Sequence, residues 1–287
     1  MPESAHIPDA ALTAAPLTRW QLADIDFDAI DRPQVVDDAL AFRIVFLASF
    51  IETGSDLYAK NLIEYFAGDA EVSRWLRHSW QPEEVQHGNA LREYASRVWP
   101  EIDWQRRYDD FFADYSRTCT VGGLEPSHAL ELAARCVVET GTSTFYSALA
   151  HYAREPVLKD LAARIFADEV RHYKHFYFYF RRYNRRERQP RRRIARTLLR
   201  RLAETRTGDG YYAYRQLWDG RSASDATAFE ADYRAFTRSF GTFMRHHAPR
   251  EMPIRMFLKP LQLPASLVAW LTRHNAPVYA LWMGSAG

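Results

Sequence analysis

Apolar residues recur at intervals of three and four along most of this chain, which is the spacing of one face of an α-helix. The segments with this pattern lie at 34–66, 69–98, 103–119, 127–152 and 155–182. Within the second segment, Pro82 predicts a break or kink, because proline lacks the N–H that a helix interior requires. No segment alternates between apolar and polar positions as a half-buried β-strand does. The sequence therefore predicts an all-α fold.

A further amphipathic helix is predicted after Pro190. Ile194, Leu198 and Leu202 keep one side apolar, whereas the opposite side is strongly basic. The arginines assigned to this basic face are Arg191, Arg192, Arg193, Arg196 and Arg200. Such a face indicates an acidic partner, although a solvated helix paired with nearby acids would give the same pattern. Residues 205–287 are expected to hold two or three more helices, separated by glycines and prolines.

The length of 287 residues suits one large domain with appendages. Residues 1–33 are rich in Ala and Pro and then mildly acidic, so we predict an N-terminal arm that packs late or stays mobile. Residues 34–187 are predicted to form a helical bundle. Residues 188–287 are predicted to add the basic helix and a C-terminal helical extension packed on the bundle.

Composition restricts the location and the partners of the protein. Charged residues interrupt every apolar run well before the roughly 18 residues that a transmembrane helix needs, and the N-terminus lacks the pattern of a secretory signal. Two cysteines, Cys119 and Cys136, do not make a disulfide framework. We therefore expect a cytoplasmic protein without a transmembrane segment. A net charge of only +2 argues against nucleic acid as the partner.

Acidic and histidine residues recur in a fixed order along the predicted bundle. They are Glu52, then Glu84 with His87, then Glu139, then Glu169 with His172. Within each half, the lone Glu precedes the Glu-x-x-His motif by nearly the same interval, 32 and 30 positions. That interval fits a pair of antiparallel helices joined by a short turn. The order therefore indicates an internal duplication of a helical hairpin.

The context of the two motifs separates them from chance. Glu-x-x-His also occurs at residues 3–6 and 125–128, but the first lies in the Ala- and Pro-rich start, and the second carries Pro126 just after Gly122-Gly123 and is predicted to be a loop and the first turn of the next helix. The two lone glutamates begin matching strings, Glu-Thr-Gly-Ser at residue 52 and Glu-Thr-Gly-Thr at residue 139. The alternative is that these glutamates lie on solvated helix faces. It suits Glu52 and Glu139 poorly, because apolar residues surround both.

This set of side chains suits a pair of metal ions. On a helix, Glu-x-x-His places a carboxylate and an imidazole on one face. Two such helices and two more glutamates make the six-ligand cage of di-iron or di-manganese carboxylate bundles. Four carboxylates balance two divalent ions, and hard oxygen donors stabilise ferric iron. We therefore predict a cofactor of two Fe ions, cycling between Fe²⁺ and Fe³⁺, with Mn as an alternative.

Three further residues are candidates for supporting this site. Asp168 and Glu83 each precede a predicted ligand, and we expect Asp168 to bond His87 and Glu83 to bond His172 across the bundle. Either could instead be an ordinary surface acid. The hydroxyl of Thr142 could handle protons near Glu139, although a mid-helix Thr often bonds only to a preceding carbonyl.

Both Glu-x-x-His segments resemble signatures of the soluble acyl-acyl-carrier-protein desaturases. Residues 79–88, Ser-Trp-Gln-Pro-Glu-Glu-Val-Gln-His-Gly, are similar to the Trp-x-x-Glu-Glu-x-x-His-Gly signature of that family, and residues 167–172 are similar to its Ala-Asp-Glu-x-x-His signature. The likeness covers roughly residues 35–182. It departs at residues 139–142, where the family has Glu-Arg-Ala-Thr, and the residues after 190 match nothing in the family pattern.

The resemblance implies a ferritin-like four-helix bundle that forms a homodimer. It assigns the metal role to the six residues above and the family's active-site Thr to Thr142. It also implies dioxygen-dependent insertion of a double bond into an acyl chain on acyl carrier protein, with electrons from a ferredoxin-type donor. On this reading the acidic partner of the basic face is acyl carrier protein. The alternatives are a di-iron hydroxylase or N-oxygenase with another biosynthetic substrate, and a non-catalytic iron protein of the ferritin type.

Overall fold

The first half of the bundle contains two long helices, which are connected by a short helix and a π-helical turn. The computed structural model describes residues 19–204, 208–218 and 226–274. The helices of the first half are α1 (Ala39–Tyr65), α2 (Ala70–Trp75), α3 (Gln81–Val98) and α4 (Trp104–Thr118). The side chain of Asp38 caps α1 by accepting the N–H groups of Leu40 and Ala41. A π-helical turn, Leu76–Trp80, joins α2 to α3 immediately before Pro82. The break predicted at this proline is therefore a widened turn within a continuous helical path.

The second half repeats the hairpin with α5 (His128–Tyr152) and α6 (Pro156–Glu187). Ser127 caps α5 and Glu155 caps α6, each through its side chain. Helix α6 runs five residues beyond the predicted end at 182, because the arginines that follow are good helix formers. It stops at Arg188, whose φ of 51° is left-handed.

The four long helices place a polar layer between two apolar clusters. Helix α1 packs mainly on α3 and α5 mainly on α6, while α3 and α6 contact each other across the bundle. One cluster includes Phe46, Leu91 and Leu161, and the other includes Leu62, Leu132 and Phe176. The predicted metal ligands lie along each helix between the residues of these two clusters. No strand occurs among the described residues, so the prediction of an all-α fold is confirmed.

Residues 19–33, the described part of the predicted N-terminal arm, are packed on the bundle. They form three short 3-10 turns, Leu22–Asp24, Phe27–Ala29 and Arg32–Gln34. Trp20, Ile25 and Phe27 bury their side chains in the apolar cluster nearer to this end. The segment has no helical period, and three apolar anchors hold it in place. Residues 1–18, including the Glu3–His6 motif, lie outside the described residues.

Five more helices follow the bundle in the described part of the chain. They are α7 (Arg191–Glu204), α8 (Asp209–Leu217), α9 (Ala226–His247), α10 (Met252–Leu258) and α11 (Ala265–Arg273). Four helices thus follow α7, where we expected two or three. Pro253 lies in the first turn of α10 and Pro264 caps α11, so these prolines start helices as well as separating them. Within the described ranges, no helix combines the length and apolar character that crossing a membrane requires.

Candidate metal centre

Six acidic and histidine side chains from four helices converge at the middle of the bundle. The structure brings them together as two overlapping groups, in each of which the potential ligand atoms lie within 4.8 Å of one another. One group is Glu52, Glu84, His87 and Glu169, and the other is Glu84, Glu139, Glu169 and His172. None of the six is more than 6% exposed. These are the residues that the duplicated motif singled out.

The two carboxylates common to both groups lie between the two imidazoles. Glu169 places Oε1 3.2 Å from His87 Nδ1 and Oε2 3.8 Å from His172 Nδ1. Glu84 Oε1 is 3.1 Å from His172 Nδ1. The remaining carboxylates each approach one imidazole, with Glu52 Oε2 3.9 Å from His87 Nδ1 and Glu139 Oε2 3.7 Å from His172 Nδ1. Both imidazoles therefore turn Nδ1 toward the carboxylates, and each has one carboxylate of its own.

Five potential donor atoms of this cluster have no hydrogen-bond partner among the described residues. Buried polar atoms without a partner are rare in folded proteins, because leaving one unpaired costs about 1–3 kcal/mol. Five such atoms occur in the cluster: Glu84 Oε1, His87 Nδ1, Glu139 Oε2, Glu169 Oε1 and His172 Nδ1. Two cations placed among them would satisfy all five. The residues present therefore fit a pair of metal ions.

The electrostatics of the cluster also favour bound cations. Burial, followed by the charges of Glu84 and Glu169, raises the pKa of Glu52 well above its ordinary value. Burial alone would lower the pKa of His87, but the hydrogen bond to Asp168 and the nearby charges of Glu169 and Glu52 raise it to about 10. Protons thus compete for these groups when no cation is bound, and metal binding would release them.

Asp168 and Glu83 bond the two imidazoles from the far side, in the crosswise pairing that the sequence suggested. Asp168 Oδ2 lies 3.1 Å from His87 Nε2, and Glu83 Oε2 lies 2.7 Å from His172 Nε2. Arg171 joins the two acids, donating to Glu83 Oε1 at 2.5 Å and lying 2.8 Å from Asp168 Oδ1. These contacts fix both rings with Nδ1 facing the cluster.

Two residues outside the predicted set complete this outer layer. The indole N–H of Trp20 donates to Asp168 Oδ2 at 2.8 Å, and its ring stacks on that of His87 with centroids 6.1 Å apart. Nothing in the local sequence marks Trp20, because its segment has no helical period. Arg171 occupies a variable position of the second motif, and only its place between Glu169 and His172 could have marked it.

Hydroxyl groups contact two of the cluster carboxylates. Thr142 is half-buried and donates to Glu169 Oε2 at 2.6 Å, rather than to the Glu139 carboxylate near which we expected it. Its hydroxyl also lies 3.3 Å from the carbonyls of Val138 and Glu139. Tyr146 donates to Glu52 Oε1 at 2.5 Å. Thr142 therefore lies where a proton could reach Glu169.

Arg135 is the most prominent residue that sequence reasoning missed. It lies one turn before Glu139 on α5, is 7% exposed, and donates from its guanidinium to Glu139 Oε1. Aromatic rings surround the guanidinium carbon, at 4.8 Å for Tyr58, 4.9 Å for Trp80 and 5.2 Å for Phe176. An arginine inside an otherwise apolar stretch was the available signal.

The predicted basic face lies on the surface of α7. All five of its arginines are exposed, while Ile194, Leu198 and Leu202 are buried. Arg191 donates to the carbonyl of Gln262, and Arg200 pairs with Glu125. The side chains of the other three arginines make no hydrogen bond or ion pair with the residues that the structure describes. The five arginines therefore form a charged surface, although the side chains of Arg191 and Arg200 contact other residues of the same chain.

The fold is similar to those of known metal-binding oxidases. No protein-family profile matches the chain, and no curated protein matches it. A tyrosine-to-phenylalanine mutant of an R2-like ligand-binding oxidase, with an anaerobically reconstituted Mn/Fe cofactor, superposes with a TM-score of 0.55 at 14% identity, covering 85% of this chain and 88% of that one. A glycine-to-leucine mutant of such an oxidase, with an aerobically reconstituted Fe/Fe cofactor, gives 0.52 at 15% identity over the same shares. At these identities the likeness concerns the fold, and it supports the predicted ferritin-like bundle.

Proposed function

We propose that this chain is a dioxygen-dependent oxidoreductase with a cofactor of two iron ions, or of one manganese and one iron. The observation that carries the proposal is the buried group of six side chains with five unpartnered donor atoms. The similar solved structures hold Mn/Fe and Fe/Fe cofactors, which supports the choice of metals. Glu52, Glu84, His87, Glu139, Glu169 and His172 would be the ligands. When bound, the two ions would supply the electron exchange with dioxygen.

The residues around the cluster would control orientation, protons and water. Asp168 and Glu83 would hold the two imidazoles in position. The hydroxyl of Thr142 would carry a proton at Glu169 Oε2, and this is its proposed catalytic role. The apolar clusters on either side would exclude water, which prevents reactive species from being lost to solvent.

We further propose that the substrate is an acyl chain and that acyl carrier protein carries it. The two signature segments at residues 79–88 and 167–172 support this substrate class, and the similar solved structures are described as ligand-binding oxidases. Desaturation removes two hydrogen atoms from the chain while O₂ is reduced to two waters. The balance needs two more electrons and two protons, which a ferredoxin-type donor and solvent would supply. A homodimer is the proposed assembly.

Product analysis tests the reaction. The iron-loaded protein would be incubated with acyl-carrier substrates of several chain lengths, ferredoxin, its reductase and oxygen, and the products read by mass spectrometry. We expect a product lighter by two hydrogen atoms, and none from Glu169→Ala. A product that gains an oxygen atom would identify a hydroxylase or N-oxygenase instead. Iron uptake without any product, in a large shell by size-exclusion chromatography, would identify a ferritin-type protein.

Charge reversal on α7 tests the carrier protein. The three arginines without a described partner would be changed together to Glu: Arg192, Arg193 and Arg196. Steering by such charges weakens with salt, because the Debye length falls from about 10 Å at 0.1 M to about 3 Å at 1 M. We expect carrier binding to be lost while metal content is unchanged. The matched control reverses three exposed arginines elsewhere: Arg77, Arg106 and Arg154. Normal carrier binding by the α7 variant, with turnover insensitive to salt, would contradict this part of the proposal.

A further inference from the structure

The Arg135–Glu139 pair differs from an ordinary ion pair on a helix. Both side chains are buried, at 8% and 1% side-chain exposure, and they lie one turn apart on α5. Burying two charges is favourable only when geometry and further contacts compensate for lost hydration. Here three aromatic rings, those of Tyr58, Trp80 and Phe176, enclose the guanidinium. This enclosure leaves the arginine little freedom to move away from the carboxylate.

The pair leaves the two oxygens of Glu139 with different roles. Oε1 accepts from the guanidinium, whereas Oε2 has no partner and lies 3.7 Å from His172 Nδ1. A carboxylate needs both oxygens to chelate one ion, and it commonly uses both to bridge two. With Oε1 held by a cation on its far side, Oε2 alone is directed at the cluster.

The corresponding carboxylate of the first half has a different neighbour. The position one turn before Glu52 is Ala48, which has no group that could hold a carboxylate. Glu52 Oε1 instead accepts from the phenol of Tyr146, a neutral donor on a different helix. A hydrogen bond from a cation is roughly twice as strong as one between neutral groups. The duplication is therefore broken at the two carboxylates that serve one imidazole each.

We propose that Arg135 is a positioning residue that restricts Glu139 to coordination through one oxygen, and so keeps a coordination position open on the His172 side of the cluster. Glu52, held only by a phenol, remains able to use both of its oxygens. The inference rests on the proposed function, because it requires that the cluster holds metal ions. It gives the two ends of the cluster different roles, with the open position on the side of Glu139.

Crystal structures of the manganese-loaded protein test the inference without any turnover assay. The proteins compared would be wild type, Arg135→Met, Arg135→Lys and Tyr146→Phe. Oxygen ligands lie within about 2.5 Å of such ions. In wild type we expect one Glu139 oxygen within this distance, and in Arg135→Met we expect two. Lysine keeps the charge and should retain one, and the Tyr146→Phe control should leave Glu139 unchanged. The electron paramagnetic resonance spectrum of the paired manganese ions should differ from wild type in Arg135→Met and should not differ in Arg135→Lys.

Each outcome bears on a separate claim. Two bound ions in wild type with both Glu139 oxygens as ligands would overturn the role of Arg135 but leave the proposed function intact. The role would also be overturned if Arg135→Met kept single-oxygen coordination and the wild-type spectrum. A wild type without metal would instead refute the proposed function. If Arg135→Met does not fold, as circular dichroism would show, the wild-type and Arg135→Lys structures still decide the question.

Discussion

Replacing Asp168 by Asn removes a charge from the outer layer of the metal centre without changing its shape. The carboxylate is 2% exposed, and its Oδ2 both accepts the indole N–H of Trp20 and faces His87 Nε2. Its other oxygen pairs with Arg171. An amide can keep some of these bonds, but it presents either a neutral oxygen or an NH₂ group to the imidazole. The ring of His87 would then lose its ionic partner and become a weaker donor to a cation.

The expected cost follows from the position of this carboxylate. Replacing the carboxylate behind a metal-binding His typically lowers metal affinity about 10- to 100-fold, which is roughly 1.4–2.7 kcal/mol. The effect should concern mainly the ion on the His87 side, because a different carboxylate, that of Glu83, bonds His172. We therefore expect one of the two metal equivalents to weaken by this factor and the other to change much less.

Competition with a chelator measures both affinities. The control is Asp160→Asn, which removes an exposed carboxylate on the same helix that pairs with Arg164 at the surface. This variant should bind both ions as wild type does, because an exposed pair contributes little. If Asp168→Asn also binds both ions with wild-type affinity, the crosswise carboxylates do not support the site and the reasoning is refuted.

Three further changes test packing and electrostatics at residues other than the proposed metal ligands. Gly88→Ala would place a methyl group 2.7–2.8 Å from backbone atoms of α1 and should lower the free energy of unfolding by about 1–3 kcal/mol, whereas Gly68→Ala meets nothing within 4 Å and should change it little. Denaturant titration of the two variants would show equal effects if the close contact of α1 with α3 were absent. Tyr58→Phe leaves the fully buried carboxylate of Glu131, on α5, without its phenol donor. By the same assay, this change should lower the free energy of unfolding by about 1–3 kcal/mol. Burial alone would raise the pKa of Asp69, but bonds from a backbone N–H of α2 and from neighbouring side chains, with the charge of Arg182, lower it below its usual value. The charged Asp69 carboxylate therefore contributes to the free energy of unfolding above about pH 4, and this contribution is lost as the pH falls through the lowered pKa. Asp69→Asn should be destabilising at pH 7 and nearly neutral at low pH. A difference from wild type that does not change with pH would contradict this.

The long helices and the convergence of six side chains could be predicted because both depend on local periodicity and on one duplicated spacing. The interval from Glu52 to Glu84 and from Glu139 to Glu169 sets the length of each hairpin. Because the two hairpins have nearly the same length, their carboxylates lie at the same level along the bundle axis. They come close together when the hairpins pack. The irregular turn before Pro82 follows from an equally local rule, because proline cannot supply the N–H that a regular helix interior needs.

The residues that were missed depend on contacts between distant parts of the chain. Trp20 reaches Asp168 across 148 positions from a segment with no period. Arg135 and Glu139 are spaced like a surface ion pair, and only the packing of three aromatic rings shows that the pair is buried. Arg200 was assigned to the basic face, and the acid that it pairs with, Glu125, comes from the loop before α5, which the period of α7 alone does not show. Each of these contacts depends on tertiary packing, which the local sequence pattern does not predict.

The most direct test of the central claim is the metal content of the purified protein after reconstitution with ferrous iron, measured by elemental analysis against protein concentration. The proposed centre predicts about two metal ions per chain, falling sharply in both Glu139→Ala and Glu169→Ala while each variant keeps its helical circular dichroism spectrum. A wild type that binds no metal, or two folded variants that remain fully loaded, would contradict it.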